Sequence, residues 1–122
     1  MRKLSTGILL FILTAFITCP SYAINLAKHG LTGYVIVTPT QPTPVETTAA
    51  KELNEHLKLI TSAYFKIVPE NSVESGKKLI LIGQTKETKQ LLPDTDWKAL
   101  GNDGIIIRTV DDKLILAGGY KR

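Results

Sequence analysis

The sequence predicts an α+β domain built on a mixed five-stranded β-sheet, with one main amphipathic helix on one face of the sheet. Several short apolar and β-branched segments are bounded by proline, glycine or aspartate, which is typical of strands. One segment between the first two carries apolar residues at helical spacing behind an N-terminal capping signal. The 122 residues, 43% hydrophobic and 21% charged, suffice for one domain at most.

The first 23 residues are typical of a secretory signal peptide and are predicted to lie outside the folded domain. Arg2 and Lys3 provide the positive start, and an apolar run follows over residues 8–19. The run stops at Pro20, short of the roughly 20 residues that a membrane-spanning helix needs. Residues 21–23 then place serine and alanine at the two positions that a signal peptidase inspects.

Cleavage between Ala23 and Ile24 predicts a mature chain, 24–122, that is exported to the periplasm or the medium and contains no cysteine. Cys19 leaves a lipoprotein signal as the alternative, although Thr18 and Phe16 fit that signal poorly. Loss of the leader takes 15 basic residues to 13 against 11 acidic ones, for a net charge of +2. Since the longest basic run is two lysines, the sequence carries no footprint of nucleic-acid binding.

The first predicted strand, residues 34–37, is apolar throughout and is expected to be buried on both faces. The main helix follows, with Thr43 as N-cap, Pro44 at the first helical position and Glu46 completing a capping box. Its end is expected at residues 61–62. The apolar stripe that predicts its buried face consists of Ala49, Ala50, Leu53, Leu57 and Ile60.

The remaining elements are four strands, a short helix and one further turn. Residues 65–68 meet Pro69, which predicts a strand near an edge of the sheet. Residues 79–82 predict a central strand beside residues 34–37, and residues 85–92 a short helix. Asp96 is suited to cap one further turn. The last two strands, residues 104–110 and 113–117, are predicted to form a hairpin around the turn residues Asp111 and Asp112.

This arrangement leaves apolar surface without a partner. Four of the strands are nearly continuous apolar runs, and such strands need cover on both faces of their sheet. One amphipathic helix covers only part of one face, so roughly several hundred Å² of apolar surface remain, the level at which a patch indicates a partner. The sequence therefore predicts that the domain docks on something or that its chain is incomplete.

No constellation of residues for catalysis, for a cofactor or for a metal stands out. His29 and His56 have no metal-ligand spacing to each other or to a cysteine pair, so both are interpreted as structural or solvated. Glu52 and Glu55 share a helix face, but a solvated surface does not supply the concave site that glycosidase carboxylates require. Trp97 is either a sugar-stacking platform or, as its neighbour Leu100 favours, a core anchor.

In this order of elements the chain resembles the N-terminal domain that precedes the catalytic barrel in α-glucuronidases of glycoside hydrolase family 67. It is similar as well to the domain before the barrel in family 20 and family 84 hexosaminidases. The resemblance covers about residues 33–122 and rests on segments 34–37, 49–57, 59–61, 65–67, 78–83, 103–107 and 114–118. Two departures are Ser62, where the family usually has glycine, and Arg122, beyond which the family continues with a helix against the sheet and the barrel.

The resemblance implies a non-catalytic accessory domain of an exported glycoside hydrolase that acts on polysaccharide. In those families the catalytic carboxylates lie on the (β/α)₈ barrel, so none is carried over to this chain and we expect it to be inactive alone. The barrel of the same parent protein, and polysaccharide, are the expected partners. A truncated gene product is expected; a free-standing periplasmic glycan- or protein-binding module and a non-functional gene remnant are the alternatives.

Overall fold

The computed structural model describes residues 23–119, which contain five strands and two α-helices. The strands are β1 (Tyr34–Thr38), β2 (Ile67–Pro69), β3 (Lys78–Ile82), β4 (Ile105–Val110) and β5 (Lys113–Gly118). The helices are α1 (Pro44–Thr61) and α2 (Lys86–Leu91). The predicted α+β class is confirmed. Residues 1–22 lie outside the described residues, and they contain Cys19 and all of the predicted signal peptide except Ala23.

The strands are ordered β2-β1-β3-β5-β4 across the sheet. β2, β1, β3 and β5 run parallel to one another, and β4 is antiparallel to β5. The predicted central positions of residues 34–37 and 79–82 are therefore confirmed. The strand predicted at residues 65–68 does lie at an edge, but it spans Ile67–Pro69. Pro69 suits that edge because it has no N–H to donate to a further strand.

Helix α1 begins and ends as its sequence predicts. The Glu46 N–H donates to Thr43 Oγ1 at 3.2 Å, and the Thr43 N–H donates to Glu46 Oε2 at 2.8 Å, which completes the capping box. At the other end Ser62 adopts a left-handed φ of 60°, and its N–H donates to the Lys58 carbonyl. This is the conformation that glycine favours at a helix end, so the serine keeps the turn.

The pleat of the strands divides the core between two faces of the sheet. The α1 face carries Tyr34, Ile36, Ile80 and Ile82 from β1 and β3, with Phe65 and Ala50 packed on them. The opposite α2 face is covered by the region from α2 to residue 100, including Leu92 and Trp97, and its strand residues are Val35, Val37, Leu79, Leu81, Ile115 and Ala117. Trp97 packs against this cluster, which supports its interpretation as a core anchor.

Helix α1 covers only the half of its face that lies over β1, β2 and β3. Ala50 is buried, and Leu53 and Leu57 pack against the core as predicted. The prediction was wrong for Ala49, which is exposed, and for Ile60, which is 79% exposed. These two residues are about three helical turns apart and lie on one flank of α1, and no described element covers that flank.

Candidate functional site

An apolar groove lies on the α1 face, between the flank of α1 and the β4–β5 hairpin. We call it the hairpin groove. It has a volume of about 360 Å³ and is open to solvent along its length. Its apolar walls are formed by Val45 and Ala49 from α1 and by Ile82, Ile105, Ile107 and Leu116 from the sheet.

The groove follows from how β4 pairs with β5. Ile107 lies opposite Leu116, and Ile105 lies opposite Gly118. Because residues opposite each other in paired strands point to the same face, both isoleucines lie on the α1 face, as Leu116 does. No described residue packs over them, and they are 70% (Ile105) and 69% (Ile107) exposed. Ile106 points to the other face and packs against the core there. The predicted lack of cover is thus located on the outer half of the α1 face, where two adjacent strands expose apolar side chains.

The polar rim of the groove lies at the carboxyl ends of β3 and β5. The Gln84 amide donates to the carbonyl oxygens of Gly118, at 3.0 Å, and Gly119, at 2.7 Å. Gly83 has a positive φ of 76°, and a Cβ at this position would collide with the carboxylate of Glu46. Side-chain bonds and close backbone packing therefore fix this end of the groove.

The carboxyl edge of the parallel strands is the usual ligand crevice of such sheets, at the point where the chain order reverses between β1 and β3. Here Glu70 reaches into that edge. Its carboxylate accepts hydrogen bonds from the Thr40 N–H and hydroxyl, both at 3.3 Å, and from the Lys86 N–H at the start of α2, at 2.7 Å. Glu46 likewise bonds the start of α1, at Thr43. The chain's own carboxylates thus occupy donors that a phosphate would use in a nucleotide-binding fold.

Among the acid and histidine residues weighed from the sequence, His56 and Glu52 approach each other on the exposed side of α1, with His56 Nδ1 3.9 Å from Glu52 Oε2. His29 and His56 are both exposed, and His56 Nδ1 lies 2.7 Å from the carbonyl oxygen of Glu52, one turn earlier in α1. Glu52 and Glu55 are exposed on the outer side of the helix. Within residues 23–119 no three histidine, cysteine, aspartate or glutamate side chains are grouped closely enough to hold a metal ion. No helix of that same range is long and apolar enough to cross a membrane.

A second, polar pocket of about 220 Å³ lies at the amino ends of β1, β2 and β3. Tyr64 forms part of its wall with 68% of its surface exposed, and the side chains of Thr32, Lys66 and Glu74 also line it. Lys66 Nζ lies 4.0 Å from Glu74 Oε1 across its mouth. Sequence reasoning missed this pocket, because the exposure of Tyr64 between buried Ala63 and Phe65 is visible only in the folded chain.

Sequence comparison finds no family model and no curated protein that matches the chain.

Proposed function

We propose that the chain is a non-catalytic accessory domain of an exported glycoside hydrolase that acts on polysaccharide, with a parent of the α-glucuronidase or hexosaminidase type. The observation that carries the proposal is the open hairpin groove, which exposes Ile105 and Ile107 of β4 to solvent. The groove is the docking surface of this domain for the rest of its parent protein. The expected partner is the catalytic (β/α)₈ barrel together with the segment that leads to it.

The dimensions of the groove favour an α-helix as the element that fills it. The strip formed by β5 and β4 is about 10 Å wide, from the spacing of neighbouring strands, and a helix with its side chains has about the same width. A strand of six residues is about 20 Å long, which matches about 13 helical residues. An amphipathic helix laid beside α1 would bury the isoleucines of β4 and the apolar flank of α1 together.

Four glutamates of the described chain support a non-catalytic role. A glycosidase needs two carboxyl groups about 5–10 Å apart on either side of a bond in a concave site. Glu46 and Glu70 are instead engaged by the helix starts, and Glu52 and Glu55 are exposed on α1. The purified chain is therefore expected to hydrolyse neither aryl glucuronides nor aryl N-acetylhexosaminides.

The deciding experiment is to read the native locus past codon 122. The proposal expects an open frame that encodes an amphipathic helix followed by several hundred residues with the pattern of a (β/α)₈ barrel. A stop codon with no such frame downstream would overturn it. Turnover of an aryl glycoside by the pure chain would overturn its non-catalytic part.

The polar pocket beside Tyr64 favours a second candidate, a free-standing glycan-binding module. An exposed aromatic ring beside hydroxyl, ammonium and carboxylate groups offers stacking and hydrogen bonds to a sugar ring. Calorimetric titration with xylan and chitin oligosaccharides tests it. Saturable binding that Tyr64→Ala abolishes and Ile60→Ala leaves unchanged would favour this candidate, and absence of binding would exclude it for these sugars.

A further inference from the structure

We propose that β4 is a dimerisation edge, at which two copies of this chain pair antiparallel about a two-fold axis at Ile107. The two five-stranded sheets then join into one sheet of ten strands, with both α1 helices on the same face. This association joins the outer backbone edges of two β4 strands, and the isoleucines that line the hairpin groove lie beside the junction. Its backbone pairing does not require the proposed function.

The two edges of the sheet differ in their capacity to accept another strand. The β2 edge is three residues long and ends in Pro69, which lacks a donor. The β4 edge is six residues long, contains no proline and carries one charged residue, Arg108. Among residues 23–119 no strand pairs with its outer side. With a single open edge in each copy, pairing closes after two copies and does not continue into a fibre.

The backbone of β4 presents its outward groups at alternate residues. The Gly119 N–H donates to the Gly104 carbonyl at 3.2 Å, so Gly104 directs its hydrogen-bonding groups toward β5. Because these directions alternate along an antiparallel strand, residues 106, 108 and 110 also face β5. The N–H and C=O groups of Ile105, Ile107 and Thr109 therefore face the open edge.

This alternation restricts the register of two paired copies. With the axis at Ile107, the outward groups of Ile107 meet those of the same residue in the second copy, and Ile105 meets Thr109. This register overlaps the whole of β4 and places Arg108 opposite Ile106. A register centred on Arg108 would set two guanidinium groups directly opposite each other, which is unfavourable.

The side chains of this register favour association as well. Ile105 and Ile107 of the two copies form one cluster on the α1 face, where each is largely exposed in a single copy. Pairs of β-branched residues across neighbouring strands stabilise a sheet. The added backbone bonds satisfy groups that only water satisfies in the isolated edge.

Sedimentation equilibrium of the protein expressed from the full reading frame tests the proposal. The expected result is a mass of two chains at concentrations of tens of micromolar. Ile107→Lys sets two ammonium groups opposite each other at the axis and is expected to weaken dimerisation at least tenfold. Val45→Lys adds the same charge to the α1 wall of the groove, away from the edge, and is expected to leave the mass unchanged. A monomeric wild type, or a larger loss with Val45→Lys than with Ile107→Lys, would overturn the proposal.

Cross-linking tests the register of the two paired strands. It uses cysteine variants, so it does not require that the lysine variant folds. In Ile107→Cys the two introduced residues lie opposite each other, with Cα atoms about 5.5 Å apart. In Thr109→Cys, matched in face and exposure, they are about 14 Å apart along the strands. A short bismaleimide is expected to link the first variant and not the second, against the wild type as background. Equal yields from the two variants would contradict pairing at Ile107.

Discussion

At the residue scale, the carboxylates at the carboxyl edge of the sheet show what local sequence patterns reveal and what they miss. Thr43, Pro44 and Glu46 form a contiguous capping signal, so their hydrogen bonds were predictable from spacing alone. Glu70 meets Thr40 and Lys86 across 30 and 16 residues of sequence. No local pattern encodes such a contact, because it exists only after β1 and β3 have paired.

The Glu70 carboxylate gives a residue-scale prediction. Glu70→Gln keeps the shape of the side chain but replaces one acceptor oxygen with an NH2 group, so the side chain can no longer accept from both Thr40 and the Lys86 N–H. We expect the free energy of unfolding to fall by about 1 kcal/mol, the usual value of such a bond. Urea denaturation measures it, with Glu55→Gln on the exposed side of α1 as control, expected within about 0.5 kcal/mol of wild type. Equal losses in the two variants would show that the bridge contributes nothing.

Tyr34 gives a second prediction at this scale. Burial raises the pKa of its phenol above the ordinary 10.0, and the Asp112 carboxylate raises it further. The hydroxyl donates to the Asp112 carbonyl at 2.8 Å, so the folded state holds the neutral form. Because the unfolded phenol ionises at lower pH, the stability that it contributes is complete below pH 10 and is lost as the pH rises through the raised folded pKa.

We therefore expect the unfolding free energy of wild type to fall relative to that of Tyr34→Phe as the pH is raised from about 9 to about 11. Denaturant titrations at matched pH values measure the difference between the two proteins. Lys78, whose Nζ lies 5.7 Å from the centroid of the Tyr34 ring, is present in both proteins. Its effect on the unfolding free energy is therefore the same in both to first order. A difference that does not change with pH would refute the link between Tyr34 ionisation and stability.

At the element scale, α1 shows which buried residues of a helix can be predicted from the spacing of its apolar residues and which cannot. Residues at helical spacing identify one face, and Ala50, Leu53 and Leu57 do pack on the sheet. Periodicity does not say how wide a strip the sheet offers. Ile60 extends the pattern by one more position but lies on the flank beyond β3, so it remains exposed.

This contrast predicts opposite outcomes for two isoleucines. Ile60→Ala is expected to change the unfolding free energy by no more than about 0.5 kcal/mol, because the side chain is exposed and alanine favours the helix. Ile80→Ala, in the fully buried centre of β3, is expected to cost about 2–5 kcal/mol. Chemical denaturation followed by circular dichroism measures both. A loss above 2 kcal/mol for Ile60→Ala would mean that its side chain is buried in solution.

At the scale of the whole molecule, the sequence predicts a shortage of cover but not its position. Counting apolar strands against amphipathic helices shows that one face lacks a partner, and the exposed isoleucines of β4 agree with that count. The place of the opening depends on the order β2-β1-β3-β5-β4, which brings the hairpin to the edge farthest from α1. Strand order arises from long-range pairing, so periodicity identified residues 34–37 and 79–82 as central without revealing the groove.

The hairpin groove predicts how the whole protein interacts with an apolar probe. The dye 1-anilinonaphthalene-8-sulfonate is expected to bind the native chain and to fluoresce, because the groove offers concave apolar surface of a suitable size. Val45→Lys places a charged side chain in its wall and is expected to weaken binding severalfold. Leu59→Lys adds the same charge to the same helix at an exposed leucine outside the groove, so general attraction of the anionic dye is matched. Equal effects of the two substitutions would show that the dye binds outside the groove. That result would count against the groove as the proposed docking surface.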